Sequence, residues 1–159
     1  LLQKVYEHRL IRCLAFNSTS KTGIDVFGEN EGSTFIALTI EKDVYVHDML
    51  TGTLVHVFVG GKPDNIADKI LGHTGIITCL FYHGDNIYTG SVDKTIRRWN
   101  ISDKRLKFVG RGHTAMVTSI CVDASVVVSG AADTSIVLWD KNTGQMIFKA
   151  EGHTGGVSS

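Results

Sequence analysis

The sequence predicts an all-β chain built from repeated four-stranded units, and three observations carry that prediction. Gly72-His73-Thr74, Gly112-His113-Thr114 and Gly152-His153-Thr154 recur at 40-residue intervals, and Trp99-Asn100 returns as Trp139-Asp140 at the same spacing. That register needs no gap: it also places Thr78 on Thr118, Gly90 on Gly130, Asp93 on Asp133, Ile96 on Ile136 and Phe108 on Phe148, and self-similarity at a fixed period marks a repeat architecture. Between these markers the apolar runs are short, rich in Val, Ile and aromatics, and stopped by Gly, Asn, Asp or Ser, as half-buried strands are.

Taken in order, residues 1–6 read as an outer strand of a preceding unit, carried by Leu2 to Tyr6. Residues 8–59 form a degenerate unit whose first strand is Leu10 to Phe16, second Phe35 to Ile40 and third Val44 to Asp48, with His47 at the Trp place and Glu41 at the Asp place. Residues 60–71 are an insertion with weak helical spacing over Asn65 to Leu71, and 17–33 lengthen the connection between the first two strands of the degenerate unit. The unit at 72–110 has strands at Ile76 to Tyr82, Ile87 to Thr89, Thr95 to Trp99 and Leu106 to Val109. The unit at 111–150 repeats them at Met116 to Val122, Val126 to Ser129, Ser135 to Trp139 and Gln145 to Lys149, and 151–159 begin another. Val126-Val127-Val128 is continuously apolar, which suits a sheet covered on both faces. Gly52 and Gly144 supply the positive φ of the hairpin turn after the third strand; Lys104 stands there in the middle unit, so that turn is expected to differ.

Gly-His before the first strand and Trp-Asp closing the third resemble the WD-repeat β-propeller family, and the short units are similar to those of F-box/WD scaffold proteins. The resemblance implies a propeller fragment of three complete four-stranded blades plus terminal stubs, with the remaining blades from the full-length chain or a second copy. An open stack of this kind is expected to leave two apolar blade faces uncovered. The family's hydrogen-bonded tetrads then map onto His73, Thr89, Asp93 and Trp99, and onto His113, Ser129, Asp133 and Trp139. A buried indole N–H needs an acceptor, and Thr89 is preferred over Ser91 because Ser91 corresponds to Ala131, which has no hydroxyl.

A His-Asp-hydroxyl set also invites a catalytic reading. These residues occur once per repeat beside a Trp, and neither Gly-x-Ser-x-Gly, a phosphate-binding glycine loop nor His-Glu-x-x-His is present. The expectation is therefore a non-enzyme without metal or cofactor. The 159 residues carry 16 basic and 16 acidic side chains for a net charge of +0, so no basic excess is available for phosphates. No apolar run approaches the ~20 residues of a membrane helix. Cys13, Cys79 and Cys121 form no Cys-x-x-Cys pair and read as small core hydrophobes in a reducing, intracellular compartment, cytoplasmic or nuclear.

In this family the loop before each first strand and the turn after each second strand gather at one end of the ring. The residues so placed are Arg12, Ile40, Thr78, Val92, Thr118 and Ala132; the candidate partner contacts are Arg12, Thr78, Val92, Thr118 and Ala132, with Lys94 and Arg98 of the basic blade. Phosphate readers use arginines at such places, and only Arg12 is basic. Positive charge concentrates instead on one blade, at Lys94, Arg97, Arg98, Lys104, Arg105, Lys107 and Arg111. Arg98 corresponds to Leu138 and Val46, so its stem is expected between blades, its head on an acidic group or the ring's edge. The function expected is a non-catalytic protein–protein interaction scaffold assembling a multiprotein complex. The alternatives are a subunit of an RNA-containing or other large assembly, touched through the basic blade, and a substrate receptor of a ubiquitin ligase.

Overall fold

A computed structural model describes residues 11–16, 35–48, 50–61 and 71–158. Twelve strands lie in them: β1 Ile11–Phe16, β2 Phe35–Ile40, β3 Asp43–Asp48, β4 Leu54–Phe58, β5 Ile77–His83, β6 Asn86–Ser91, β7 Thr95–Asn100, β8 Arg105–Arg111, β9 Val117–Val122, β10 Val126–Ala131, β11 Ile136–Asp140 and β12 Met146–Ala150. They make three four-stranded antiparallel sheets, each a meander in chain order. Strand β5 lies between β1 and β9 and contacts both, so each sheet stands as a blade with its first strand inside and its fourth outside. The outer strand before residue 8, the 17–33 insertion and most of 60–71 fall outside the described residues.

Period-two alternation sends each blade's side chains to two seams. Between the first and second blades Ala37, Val44, Val46 and Phe58 meet Ile77, Ile87 and Trp99. Between the second and third, Tyr88, Ile96 and Phe108 meet Val117, Val127, Val137 and Trp139. Thus each Trp points toward the preceding blade. The expectation of two open blade faces holds on one side only. On the third blade Phe148 is 58% exposed where its equivalent Phe108 is 8% exposed. On the far side of the first blade Leu38 and His47 are buried.

A bulge recurs just before the third-strand marker in every blade, between Val46 and His47, Arg98 and Trp99, and Leu138 and Trp139. His47 pairs with Ile36 as Trp99 pairs with Ile87, so it occupies the Trp place. The turn that follows explains the Asp of the Trp-Asp pair. Asp48 Oδ1 accepts from the Leu50 and Thr51 N–H groups at 2.8 Å each, and Asp140 Oδ1 does the same for Asn142 and Thr143 at 3.0 and 2.7 Å. Gly52 and Gly144 follow with φ of 71°. Lys104 keeps that left-handed conformation at φ 55°, but its N–H donates to Ile101, whereas Gly52 and Gly144 bond to Asp48 and Asp140. The turn therefore differs in hydrogen bonding and not in hand.

Thr134 at φ 67° is strained for another reason, because a β-branched side chain in the left-handed region crowds its own backbone. Thr134→Gly is expected to raise stability by roughly 1 kcal/mol, read as an increased urea midpoint with unchanged slope.

Candidate functional site

Each tetrad is assembled from two strands and two connecting segments. His73 sits in the segment entering β5, Thr89 on β6, Asp93 in the β6–β7 turn and Trp99 on β7. Trp99 Nε1 donates to Thr89 Oγ1 at 2.9 Å, and Thr89 Oγ1 lies 2.7 Å from His73 Nε2. His73 Nδ1 lies 2.9 Å from Asp93 Oδ2. The proton count assigns the directions. With the indole donating to the threonine oxygen, the hydroxyl hydrogen goes to His73 Nε2, so the neutral ring carries its hydrogen on Nδ1 and donates it to Asp93. Asp93 also accepts from the Thr74 and Thr95 N–H groups, each at 3.0 Å, and from the Thr95 hydroxyl at 2.6 Å. Ser91 bonds to the Gly75 carbonyl at 3.0 Å and to the Asp93 N–H, which shapes the turn.

The third blade repeats the chain with a looser end. Trp139 Nε1 donates to Ser129 Oγ at 2.8 Å, Ser129 lies 2.7 Å from His113 Nε2, and His113 Nδ1 is 3.3 Å from both Asp133 oxygens. His153, at the same place of the third Gly-His, is exposed. Among the described residues the first blade shows no such chain: buried Leu38 replaces the hydroxyl residue, and the His47 ring contacts the Gly52 carbonyl at 3.3 Å. Its β2–β3 turn, Glu41-Lys42, is one residue shorter than Val92-Asp93-Lys94. Glu41 is consequently exposed, with its main-chain carbonyl accepting from Ile77, so it does not act as Asp93 does.

Burial lowers the pKa of His73 and His113 below the ordinary imidazole value, against the pull of their Asp partners. Burial acts to raise the Asp93 and Asp133 carboxyls. Hydrogen bonds from His73, Thr95 and Thr74 on Asp93, and from Ser135 and Thr114 on Asp133, outweigh it and hold both well below the carboxylate range. Both shifts have the same sign for stability. A depressed His contributes its full share above about pH 6.5 and loses it as pH falls toward the folded value; a depressed Asp loses its share below about pH 3.9. The urea midpoint should therefore fall between pH 7 and pH 5, and His73→Gln combined with His113→Gln should flatten that slope. A midpoint that rises on acidification would contradict the neutral imidazoles assigned above.

With His73, Thr89 and Trp99 buried and mutually bonded, the hydroxyl has no face toward a substrate. Among the described residues no group of three or more His, Cys, Asp or Glu is placed to hold a metal. Burial raises the Cys13 thiol and pushes Cys79 up to about 12, which keeps both as unreactive thiols; Cys121 is exposed and free.

The ring-end residues divide into surface and seam. Arg12, Val92 and Lys94 are exposed, and Ala132 is half-buried. Ile40 is buried because the shorter first turn draws it into the sheet. Thr78 and Thr118 lie at this end as well, but their hydroxyls are engaged: each donates to the glycine carbonyl of its own second strand, Gly90 or Gly130, at 3.1 and 3.0 Å, and reaches the Val117 or Val157 carbonyl that follows. The basic blade is likewise not one surface. Arg97 is 1% exposed beside the Trp99 ring. Arg98 spans the seam, donating to Asn86 Oδ1 at 2.9 Å and to the Lys141 carbonyl of the third blade at 2.8 Å. Its stem lies between blades as expected, and of the two expected ends for its head, an acidic group or the ring's edge, the acidic group is not the partner: the head meets an amide oxygen and a backbone carbonyl.

Comparison with known families matches the WD domain, G-beta repeat, at residues 66–100 and 104–140. Among solved structures the chain is similar to a computationally designed protein, Ika4, at 26% identity and TM-score 0.71 over 95% of this chain and 78% of that one. It is similar in fold to U3-55K at 18% identity and TM-score 0.71, covering 94% of this chain and 42% of that one. A chain of the mitotic checkpoint complex matches at 19% identity and TM-score 0.66, covering 80% and 36% respectively. The chain thus spans less than half the length of either natural propeller. No curated protein sequence matches it.

Proposed function

Because residues 66–100 and 104–140 are WD repeats set in propeller blades, we propose that the protein is a non-catalytic, intracellular protein-interaction scaffold that helps assemble a multiprotein complex. WD propellers generally work in this way, and fold alone does not identify a partner. The observation that carries the reading is the division of labour among polar residues. The repeated His, Asp and hydroxyl groups are occupied inside the blades, while Val92, at 43%, and Lys94 are exposed in the β6–β7 turn. The dispersal of the basic residues, with Arg97 interior and Arg98 in a seam, weighs against recognition of RNA through that blade.

The test is quantitative capture of partners by the full-length protein in its own cells, with and without nuclease. Val92→Glu with Lys94→Glu should deplete specific proteins at least several-fold while leaving the melting temperature unchanged. Partners that vanish on nuclease treatment, or a double variant that loses none, would contradict the reading.

A further inference from the structure

The outer strand of the first blade is unlike those of the other two. Leu54-Val55-His56-Val57-Phe58 carries no charged residue, while β8 carries Arg105, Lys107 and Arg111 and β12 carries Lys149. Among the described residues β4 pairs with β3 alone, and none of them pairs with the N–H and C=O groups of its other edge. Charges on outer strands normally discourage another chain from adding there; β4 has none.

Beside that edge lies a cleft of about 500 Å³ between the first and second blades, within the size range of ligand sites. Four consecutive residues, 56–59, line it. Since successive side chains in a strand point to opposite faces, a cavity that touches the β4 residues 56, 57 and 58 in a row runs along the strand's edge and not over one face. Its floor is Phe58, Trp99 and Leu106, and its rim on the second blade is Lys104 and Arg105. Val59 and Leu71 leave apolar surface exposed at the other end. Neither Lys104 nor Arg105 has an ion-pair partner among the described residues, and the neighbouring carboxylate, Asp103, is bridged to Lys107. His56 adds no charge at neutral pH, because burial and the nearby Lys104 lower its pKa.

We propose that the outer edge of β4 and this cleft take an extended acidic peptide of a partner protein, which adds as a fifth strand and seats an aliphatic or aromatic side chain on Phe58 and Leu106. Main-chain hydrogen bonds give such strand addition its affinity, and pockets for alternate side chains give it selectivity. Here the apolar floor selects one side chain, and Lys104 and Arg105 select carboxylates flanking it. The proposal rests on the scaffold reading and places one partner class on the rim, away from the ring end.

The experiment is selection of a displayed random decapeptide library on the full-length protein, followed by fluorescence anisotropy of the enriched peptides. Enriched sequences should be acidic with at least one large apolar residue. Their affinity should fall at least tenfold with Lys104→Glu plus Arg105→Glu, and should be unchanged by Val92→Glu plus Lys94→Glu. N-methylation of alternate peptide residues should abolish binding in one phase and spare it in the other. A melting curve of the Lys104/Arg105 variant that overlays wild type shows that the loss is not unfolding. No enrichment, enrichment of non-acidic peptides, indifference to charge reversal, or equal tolerance of both N-methyl phases would each overturn the proposal. Ring-end partner capture would survive all four outcomes, so failure here is distinguishable from failure of the scaffold reading.

Discussion

Trp99→Ala and Trp139→Ala are each expected to cost about 3–5 kcal/mol of stability. Both indoles are buried, at 2% and 1% exposure. Trp99 lies with its ring 5.0 Å from Phe58 across the first seam, and Trp139 sits in the core of the second. Truncation opens a cavity between blades and also removes the donor to Thr89 or Ser129. Trp99→Phe separates the two contributions, since it keeps most of the packing and should cost roughly 1 kcal/mol for the hydrogen bond plus a smaller cavity. Urea denaturation of the full-length protein reads both. Wild-type stability in the alanine variants would mean that neither the packing nor the tetrads hold the blades.

Gly90→Val is expected to destabilise by about 3 kcal/mol or more, at the upper end of overpacking effects. Gly90 pairs with Cys79 and Ile96 within its own blade, and it faces the inner strand of the next one. A Cβ there would come within 2.5 Å of Val117 Cγ1 and 2.6 Å of Cys79 Sγ. Neither neighbour is a flexible tip, so the blades themselves must part. Gly130 repeats the arrangement, with Val157 Cγ1 at 2.6 Å and Ser119 Oγ at 2.7 Å. Gly84 is the internal control: a Cβ there meets nothing within 4 Å, although its φ of 61° still favours glycine. Gly90 has no such φ, so a loss there comes from contact, and wild-type stability in Gly90→Val would contradict the close approach of the two blades.

What made the fold legible was punctuation. Gly-His and Trp-Asp/Asn recur because each answers a local demand: an imidazole must reach a hydroxyl and a carboxylate, an indole needs an acceptor, and a short turn needs an Asx acceptor followed by positive φ. Strands bracketed by those residues begin and end within a residue or two of where the sequence puts them. β4 carries no such marker, and the first blade's missing turn residue hid the burial of Ile40. Residues whose role depends on another blade were harder still. Thr78 and Thr118 occupy ring-end positions in sequence, yet their hydroxyls bond across the seam. Arg97 and Arg98 are adjacent in a basic run, and strand alternation sends one to the interior and the other to the third blade. Lys104 stands where glycine does in the other blades and adopts the same left-handed φ, because the surrounding hairpin outweighs the local preference. The β4 edge is a property of what its neighbours lack, which no residue-by-residue pattern displays.

The central claim is that the repeated His, Asp and hydroxyl residues act as interior fastenings, leaving function to the surface. Hydrogen exchange of the Trp99 and Trp139 indole protons in the full-length protein tests it most directly, with Trp99→Phe and Trp139→Phe assigning the two signals. If Trp99 Nε1–H and Trp139 Nε1–H are bonded to Thr89 and Ser129 inside the blades, both protons should exchange only through global or blade-level opening, and Thr89→Val should accelerate the Trp99 proton alone. Exchange of either indole at the rate of a solvent-exposed tryptophan, or no response to Thr89→Val, would contradict the account.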